Sequence, residues 1–237
     1  MILKLIDHTP NPEKLIAMAA KLCYSAVSID ELEDNQTEEN VAKFLKGLMG
    51  SGHTSPIEHA SFTFALEGCS RITEQQLTRH RLASYSVQSG RYVTRDNAKF
   101  VIPPAIENNK IAKEIYLQNI EINKLAYKAI TSILEKDYLE QCMNESEAKK
   151  KAIEDARYIF PQSLETKIIF TMNLRTLINF LNLRRCKRAQ WEIRELASMM
   201  IEELKPILPT MVNYMGASCE TGKCSEGKMS CGNPYKK

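Results

Sequence analysis

The sequence has neither of the standard glycine-rich phosphate loops, no HExxH and no paired CxxC. Any nucleotide site it builds must therefore grip its anion through side chains. No apolar run approaches the roughly 18 residues that a membrane span needs. Met1 to Pro10 lead straight into a strand-like pattern without the layout of a signal peptide, so a cytoplasmic protein is expected. A net charge of +3 over 237 residues is too small for a general nucleic-acid binder. The seven cysteines are odd in number and widely scattered, which reads as reduced thiols rather than a disulfide framework. There is no internal repeat and no low-complexity linker. What is present, 43% hydrophobic and 26% charged residues, is ordinary for a globular chain with a sizeable core.

Periodicity sets out the elements. A short strand covers 2–6. Asn11 then Pro12 opens a helix with the apolar stripe Leu15, Met18, Ala19 and Leu22. An acidic loop is expected over 28–36. Asn35 and Glu38 then have capping-box spacing ahead of Val41, Phe44, Leu45, Leu48 and Met49, with Gly50-Ser51-Gly52 as the stop. Phe62, Phe64 and Leu66 alternate along a half-buried strand, and Ile168, Phe170 and Met172 along another. Between them lie a polar helix over 70–78 and a long helix with the stripe Ile111, Ile115, Ile122, Ala126, Ala129 and Ile133. A further helix, capped by Asn144 and Glu147, stops near Pro161. Helices over 174–183 and 189–204 complete the pattern. Few strands separated by helices of unequal length fit a single α+β domain over 1–216, with a polar, loosely ordered, cysteine-bearing tail over 217–237.

Arginine is clustered. One group is Arg79, Arg81, Arg91 and Arg95; the other is Arg175, Arg184, Arg185 and Arg188, with Arg194 beyond. Positions 79–91 hold three arginines, one histidine and three serines. If this stretch is helical, Arg79 and Arg81 diverge by about 200° and cannot hold one phosphate. If it is extended, they share a face and His80 points the other way. Small residues among the arginines favour an anion site, because backbone N–H groups can approach a ligand there. On a helix, Arg175, Asn179 and Asn182 share an arc of about 60°, opposite Leu174, Leu177, Ile178 and Leu181. Such a polar stripe needs partners, from a ligand or from the protein itself. Two other readings stand beside an anion site: a solvated basic surface, and a nucleic-acid-binding module using both clusters.

The spacing Arg79-His80-Arg81, seven residues, then Ser89 resembles the signature of the flavin-dependent thymidylate synthases, the ThyX family. Three further blocks agree in order: Gly52-His53-Thr54-Ser55-Pro56-Ile57-Glu58-His59, Asn173-Leu174-Arg175 with Asn179, and Asn182-Leu183-Arg184 followed by Ala189-Gln190-Trp191-Glu192-Ile193. The resemblance spans roughly residues 1–215. It implies a homotetramer with active sites shared between subunits, an α+β fold with a curved antiparallel sheet, and conversion of dUMP to dTMP. In that reaction 5,10-methylenetetrahydrofolate supplies the carbon, FAD carries the hydride and NADPH is the reductant. By matched position Ser55, Arg79, His80, Arg81, Asn173, Arg175 and Asn179 would contact FAD. Gln76, Arg79, Gln88, Ser89, Gly90, Arg91, Arg157 and Arg184 would contact the uridylate, and His53 would lie near the flavin ring and the folate. Val87 stands where many members carry Glu or Gln, and Arg188 where a histidine is common.

The chemistry divides accordingly. Arg184 is the candidate for electrostatic catalysis, Arg79, Arg91 and Arg157 for holding phosphate, and His53 for positioning folate. Ser89 has no Ser-His-Asp order around it, so it is expected to bind substrate rather than attack it. No cysteine has the Pro-Cys-His setting of the cofactor-free synthases. The spacing Cys219-x4-Cys224-x6-Cys231 lacks a tight pair and a nearby histidine, so no metal is expected.

Overall fold

A computed structural model of the chain describes residues 1–34, 36–95 and 97–235. In chain order the elements are β1 (Ile2–His8), α1 (Pro12–Leu22), α2 (Ile29–Asp34), α3 (Glu38–Ser51), β2 (Ser61–Ser70), α4 (Arg71–Leu77) and β3 (Ala83–Val87). There follow α5 (Pro104–Glu107), α6 (Lys110–Glu140), α7 (Glu145–Ala156), β4 (Glu165–Asn173), α8 (Leu174–Arg184), α9 (Trp191–Leu204) and α10 (Ser218–Thr221). The strands form one antiparallel sheet in the order β1-β2-β4-β3, so the fold is α+β. Among the described residues no helix is long and apolar enough to cross a membrane.

The chain divides into two compact units, each discontinuous in sequence. One gathers residue 1, 67–75 and 86–168; the other gathers 2–66, 76–85 and 169–237.

In the second of these units the alternation read from the sequence is realised. Phe62, Phe64 and Leu66 of β2 and Phe170 and Met172 of β4 are buried, and the Phe64 and Phe170 rings stack at 5.3 Å. Leu177, Phe180 and Leu181 of α8 and Ile193, Leu196 and Met200 of α9 close the core, each fully buried side chain contributing about 1.5–3 kcal/mol. The helix ends are set locally. Asn173 Oδ1 accepts from the Thr176 N–H at 2.9 Å and starts α8, and the Gln190 side chain does the same for α9. α3 is capped by Thr37, whose hydroxyl accepts from the Asn40 N–H; the expected cap Asn35 lies outside the described residues. Gly52 ends α3 at φ 76°, a conformation that a side chain would strain.

In the other unit α6 and α7 pair as an antiparallel hairpin. α7 buries Ala148, Ala152 and Ala156 at four-residue spacing, small side chains that allow close helix approach. Tyr127, Phe160 and Phe100 form an aromatic chain, with ring separations of 4.7 and 5.7 Å.

Three expectations are corrected. The acidic stretch 28–36 is not all loop, because 29–34 form α2, begun by the Ser28 hydroxyl accepting from the Glu31 N–H. On α1 the buried face is Ile16, Ala17 and Ala20 rather than the stripe through Leu15, and Leu22 is exposed. The helix is apolar on most sides, so its tertiary neighbours choose the face. On α6 the expected stripe is turned outward: Ile111, Ile115, Ile122 and Ile133 are 56–72% exposed, while Ile120 and Tyr127 are buried. Tyr116, Ile120, Tyr127, Ile130 and Leu134 form a second apolar series on the same helix, and that series is the more buried one.

Candidate active site

The Arg79-His80-Arg81 segment is neither helical nor extended. It is the turn that joins α4 to β3, closed by the His80 N–H donating to the Leu77 carbonyl at 3.1 Å. The Tyr85 hydroxyl pins it, lying 2.8 Å from the carbonyl oxygens of both Leu77 and His80. Burial pushes the Tyr85 pKa up to about 12, which keeps that hydroxyl a donor.

His80 is half-buried, its ring edge-on against Phe180 of α8 with centroids 4.9 Å apart. Its Nε2 accepts a hydrogen bond from Arg184 Nε at 3.0 Å. Burial first, and the Arg184 charge second, push the His80 pKa down to about 4. The imidazole is therefore neutral near pH 7, with Nε2 unprotonated and free to accept. Arg184 is itself lowered by burial and by the nearby charge of Arg79, from a value so high that it stays cationic.

Beside this turn lies a cavity of about 550 Å³ lined by Glu58, Arg79, His80, Arg81, Asn173, Arg175 and Asn179, among others. The two distant arginine-bearing stretches thus meet around one space. Asn173 caps α8, so the positive end of the helix and its first-turn N–H groups are at the cavity wall. Arg175 and Asn179 share one exposed face of α8, as their four-residue spacing requires. Asn182, expected on the same stripe, does not line the cavity; its Oδ1 is buried with no partner among the described residues. Arg175 is ion-paired with Glu58, a partner the sequence reading missed although it lies within the Gly52–His59 block.

His53 and Ser55 do not line this cavity. Both are exposed; Ser55 precedes the 3-10 turn Pro56–His59. His53 Nδ1 lies 3.1 Å from the Tyr24 hydroxyl, with the rings stacked at 6.4 Å. Tyr24 carried no sequence signal, having no motif around it. Gln76 lies on α4, half-buried and also outside the cavity lining.

The residues Gln88 to Arg91 and Arg157 belong to the unit containing α6 and α7. Ser89 Oγ accepts from the Arg91 N–H at 3.1 Å, and the Arg91 side chain pairs with Glu154 at 3.1 Å. Gly90 lies against Arg157 so closely that a β-carbon there would stand 2.9 Å from Nη1. Gln88 Oε1 accepts from Arg95 Nη1 at 3.1 Å. Three guanidinium groups, those of Arg71, Arg95 and Arg157, and Gly90 line a cavity of about 320 Å³. Of these, Arg71 and Arg95 were not expected as site residues.

The tail is more ordered than expected. Beyond Gly216 it forms α10 and then folds against the basic run that follows Arg184. Tyr235 stacks under the Arg185 guanidinium at 4.6 Å, accepts from its Nη1 at 3.0 Å and donates to its carbonyl at 2.9 Å. Arg188 pairs with Glu226 and donates to the Met229 carbonyl, and Lys187 donates to Asn233. Cationic side chains close together draw in acceptors wherever the chain can supply them, and here the tail does. All seven cysteines are unbridged, and no group of three or more His, Cys, Asp or Glu residues among the described residues is placed to hold a metal ion.

Residues 4–210 match the family model described as thymidylate synthase complementing protein. The flavin-dependent thymidylate synthase of Clostridium tetani is 55% identical over 229 residues, covering 97% of this chain and 92% of that protein. That of Geobacter sulfurreducens is 43% identical over 234 residues, with 98% and 94% covered. That of Pyrococcus furiosus is 41% identical over 204 residues, with 84% and 77% covered.

Proposed function

Since the chain belongs to the thymidylate synthase complementing protein family, we propose that it reductively methylates dUMP to dTMP, using 5,10-methylenetetrahydrofolate, FAD and NADPH. The observation that carries this reading is the meeting of Arg79-His80-Arg81 with Asn173, Arg175 and Asn179 around one cavity.

That cavity fits a flavin dinucleotide in its donor set. Arg79, Arg81 and Arg175 offer forked N–H donors for a diphosphate, and the start of α8 adds backbone N–H groups and a positive dipole end. The amides of Asn173 and Asn179 supply a donor and an acceptor each for ring heteroatoms. Ser55 joins this set by matched position. Bound FAD supplies the hydride, with NADPH as its reductant and the folate as carbon source.

The chain's own residues bind, orient and stabilise. Arg91 and Arg157, with Arg79, neutralise the uridylate phosphate, and Gln76, Gln88, Ser89 and Gly90 hold the rest of the nucleotide. Ser89 binds and does not attack, consistent with an Oγ that meets a backbone N–H rather than a base. Arg184 stabilises the negative charge that develops on the pyrimidine as C5 becomes nucleophilic. A preorganised charge of this kind is typically worth about 3–4 kcal/mol. Neutral His80 takes the Nε proton of Arg184 in a hydrogen bond, which fixes the guanidinium plane and leaves its terminal nitrogens for substrate. His53 positions the folate.

We further propose a cytoplasmic homotetramer in which active sites draw residues from several subunits. The outward stripe of α6, with Ile111, Ile115, Ile122 and Ile133 exposed along about 33 Å of helix, supports self-association, since so long an apolar face is seldom left bare. Thymidylate formation followed with dUMP, methylenetetrahydrofolate, FAD and NADPH tests the activity. Product that depends on added flavin is expected, and purified protein that neither binds flavin nor forms thymidylate would refute it.

A further inference from the structure

The cavity at Gly90 holds more positive charge than the residues assigned to the uridylate account for. Arg157 is one of those residues, but Arg71 and Arg95 line the same 320 Å³ space. Arg71 is held by Glu74 at 2.7 Å. Arg95 is fixed differently. Its backbone N–H donates to the hydroxyl of the buried Tyr127 at 3.2 Å, and its Nη1 donates to Gln88 Oε1 at 3.1 Å. Its Nε is buried and has no hydrogen-bond partner among the described residues. A buried guanidinium N–H without an acceptor is costly, so the Arg95 side chain is held beside this cavity at an expense that packing alone does not repay.

Electrostatics agree with the geometry. Burial first, then the charge of Arg71, lowers the Arg95 pKa, and Arg157 adds to the effect. Three like charges line this one space. The neighbouring backbone is cleared as well, because at Gly90 the missing side chain lets Arg157 lie against the main chain. A tetrahedral dianion suits several guanidinium groups around one space better than a planar carboxylate does, since it presents acceptor oxygens in several directions.

We propose that Arg95, supported by Arg71, is a ligand of the nucleotide's phosphate, acting beside Arg157. The proposal rests on the reading that Gly90 and Arg157 belong to the uridylate site. Arg95 has a second consequence for that site. By donating to the amide oxygen of Gln88 it leaves the amide N–H₂ as that side chain's donor, so Arg95 also orients a residue placed in the same substrate group.

The test compares the flavin-loaded wild type with Arg95→Gln and Arg95→Lys, measuring binding of dUMP, deoxyuridine and inorganic phosphate by calorimetry or competition. Loss of one charged hydrogen-bonding partner should weaken dUMP and phosphate by roughly tenfold to a hundredfold in Arg95→Gln. Deoxyuridine should weaken far less than dUMP, by no more than the contribution of Gln88, and Arg95→Lys should recover most of the phosphate affinity. Unchanged dUMP affinity in Arg95→Gln would overturn the assignment while leaving the parent reading in place. Equal losses for dUMP and deoxyuridine in both variants would mark a purely structural role and overturn it too. A wild type that binds no dUMP would remove the parent reading and this proposal with it.

Discussion

Arg184 Nε donates to His80 Nε2 across 3.0 Å, tying the last residue of α8 to the turn after α4, 104 positions earlier in the chain. A protonated imidazole has no lone pair to accept that bond, so the contact requires neutral His80. Burial against Phe180 secures this state. One histidine thus lines the cavity proposed for flavin and also sets the direction of the arginine proposed to stabilise the transition state.

Arg184→Ala should lower turnover by about a hundredfold or more while leaving flavin content within twofold of wild type, because Arg184 does not line the cavity proposed for flavin. Arg184→Lys should not rescue, since an ammonium cannot both donate from a fixed Nε and present a planar fork. Turnover numbers and the flavin-to-protein absorbance ratio check this. Equal losses in both would assign Arg184 to flavin binding instead.

The His80 pKa has a consequence for stability. A histidine lowered from 6.5 to about 4 binds fewer protons in the folded state than in the unfolded state throughout that window. Stability should therefore rise as pH increases from about 4 to 6.5 and gain nothing further from this group above that. Thermal melts across pH 4–8 on wild type and His80→Gln should differ by a slope present only in the wild type. Carboxylates titrate in both proteins and cancel in the comparison. Parallel curves would contradict the assignment.

At Gly90 the nearest atoms to an added β-carbon belong to the Arg157 side chain. A side-chain end can move cheaply, so Gly90→Ala should fold with a stability change of about 1 kcal/mol or less. Displacing Arg157 should nonetheless raise the KM for dUMP several-fold, with the KM for folate unchanged. Steady-state kinetics with each substrate varied in turn decides between this and a general loss of activity.

Much of this was legible in the sequence where one interaction dominates. Phe62, Phe64 and Leu66, and Ile168, Phe170 and Met172, alternate so cleanly that only one face of each strand could be buried. The Asn173 and Gln190 ends of α8 and α9 follow from capping chemistry local to the chain. α1 and α6 were misread because each carries two apolar faces, and periodicity cannot say which one the rest of the fold covers. The tail was misread because its contacts with Arg185, Lys187 and Arg188 join residues 35 (220 minus 185) to 50 positions apart. The charge pairings Arg175–Glu58 and Arg91–Glu154 and the placement of Arg95 beside Tyr127 are likewise long-range facts. Spacing along the chain carries no information about them.

The central claim is that two stretches about 100 residues apart in sequence share one flavin. FAD affinity measured for wild type, Arg81→Ala, Asn179→Ala and the double variant tests it most directly. The account predicts that each single change weakens FAD and that the two are coupled by roughly 0.5 kcal/mol or more, as expected for groups on one ligand. FAD that binds the double variant as tightly as wild type would contradict it.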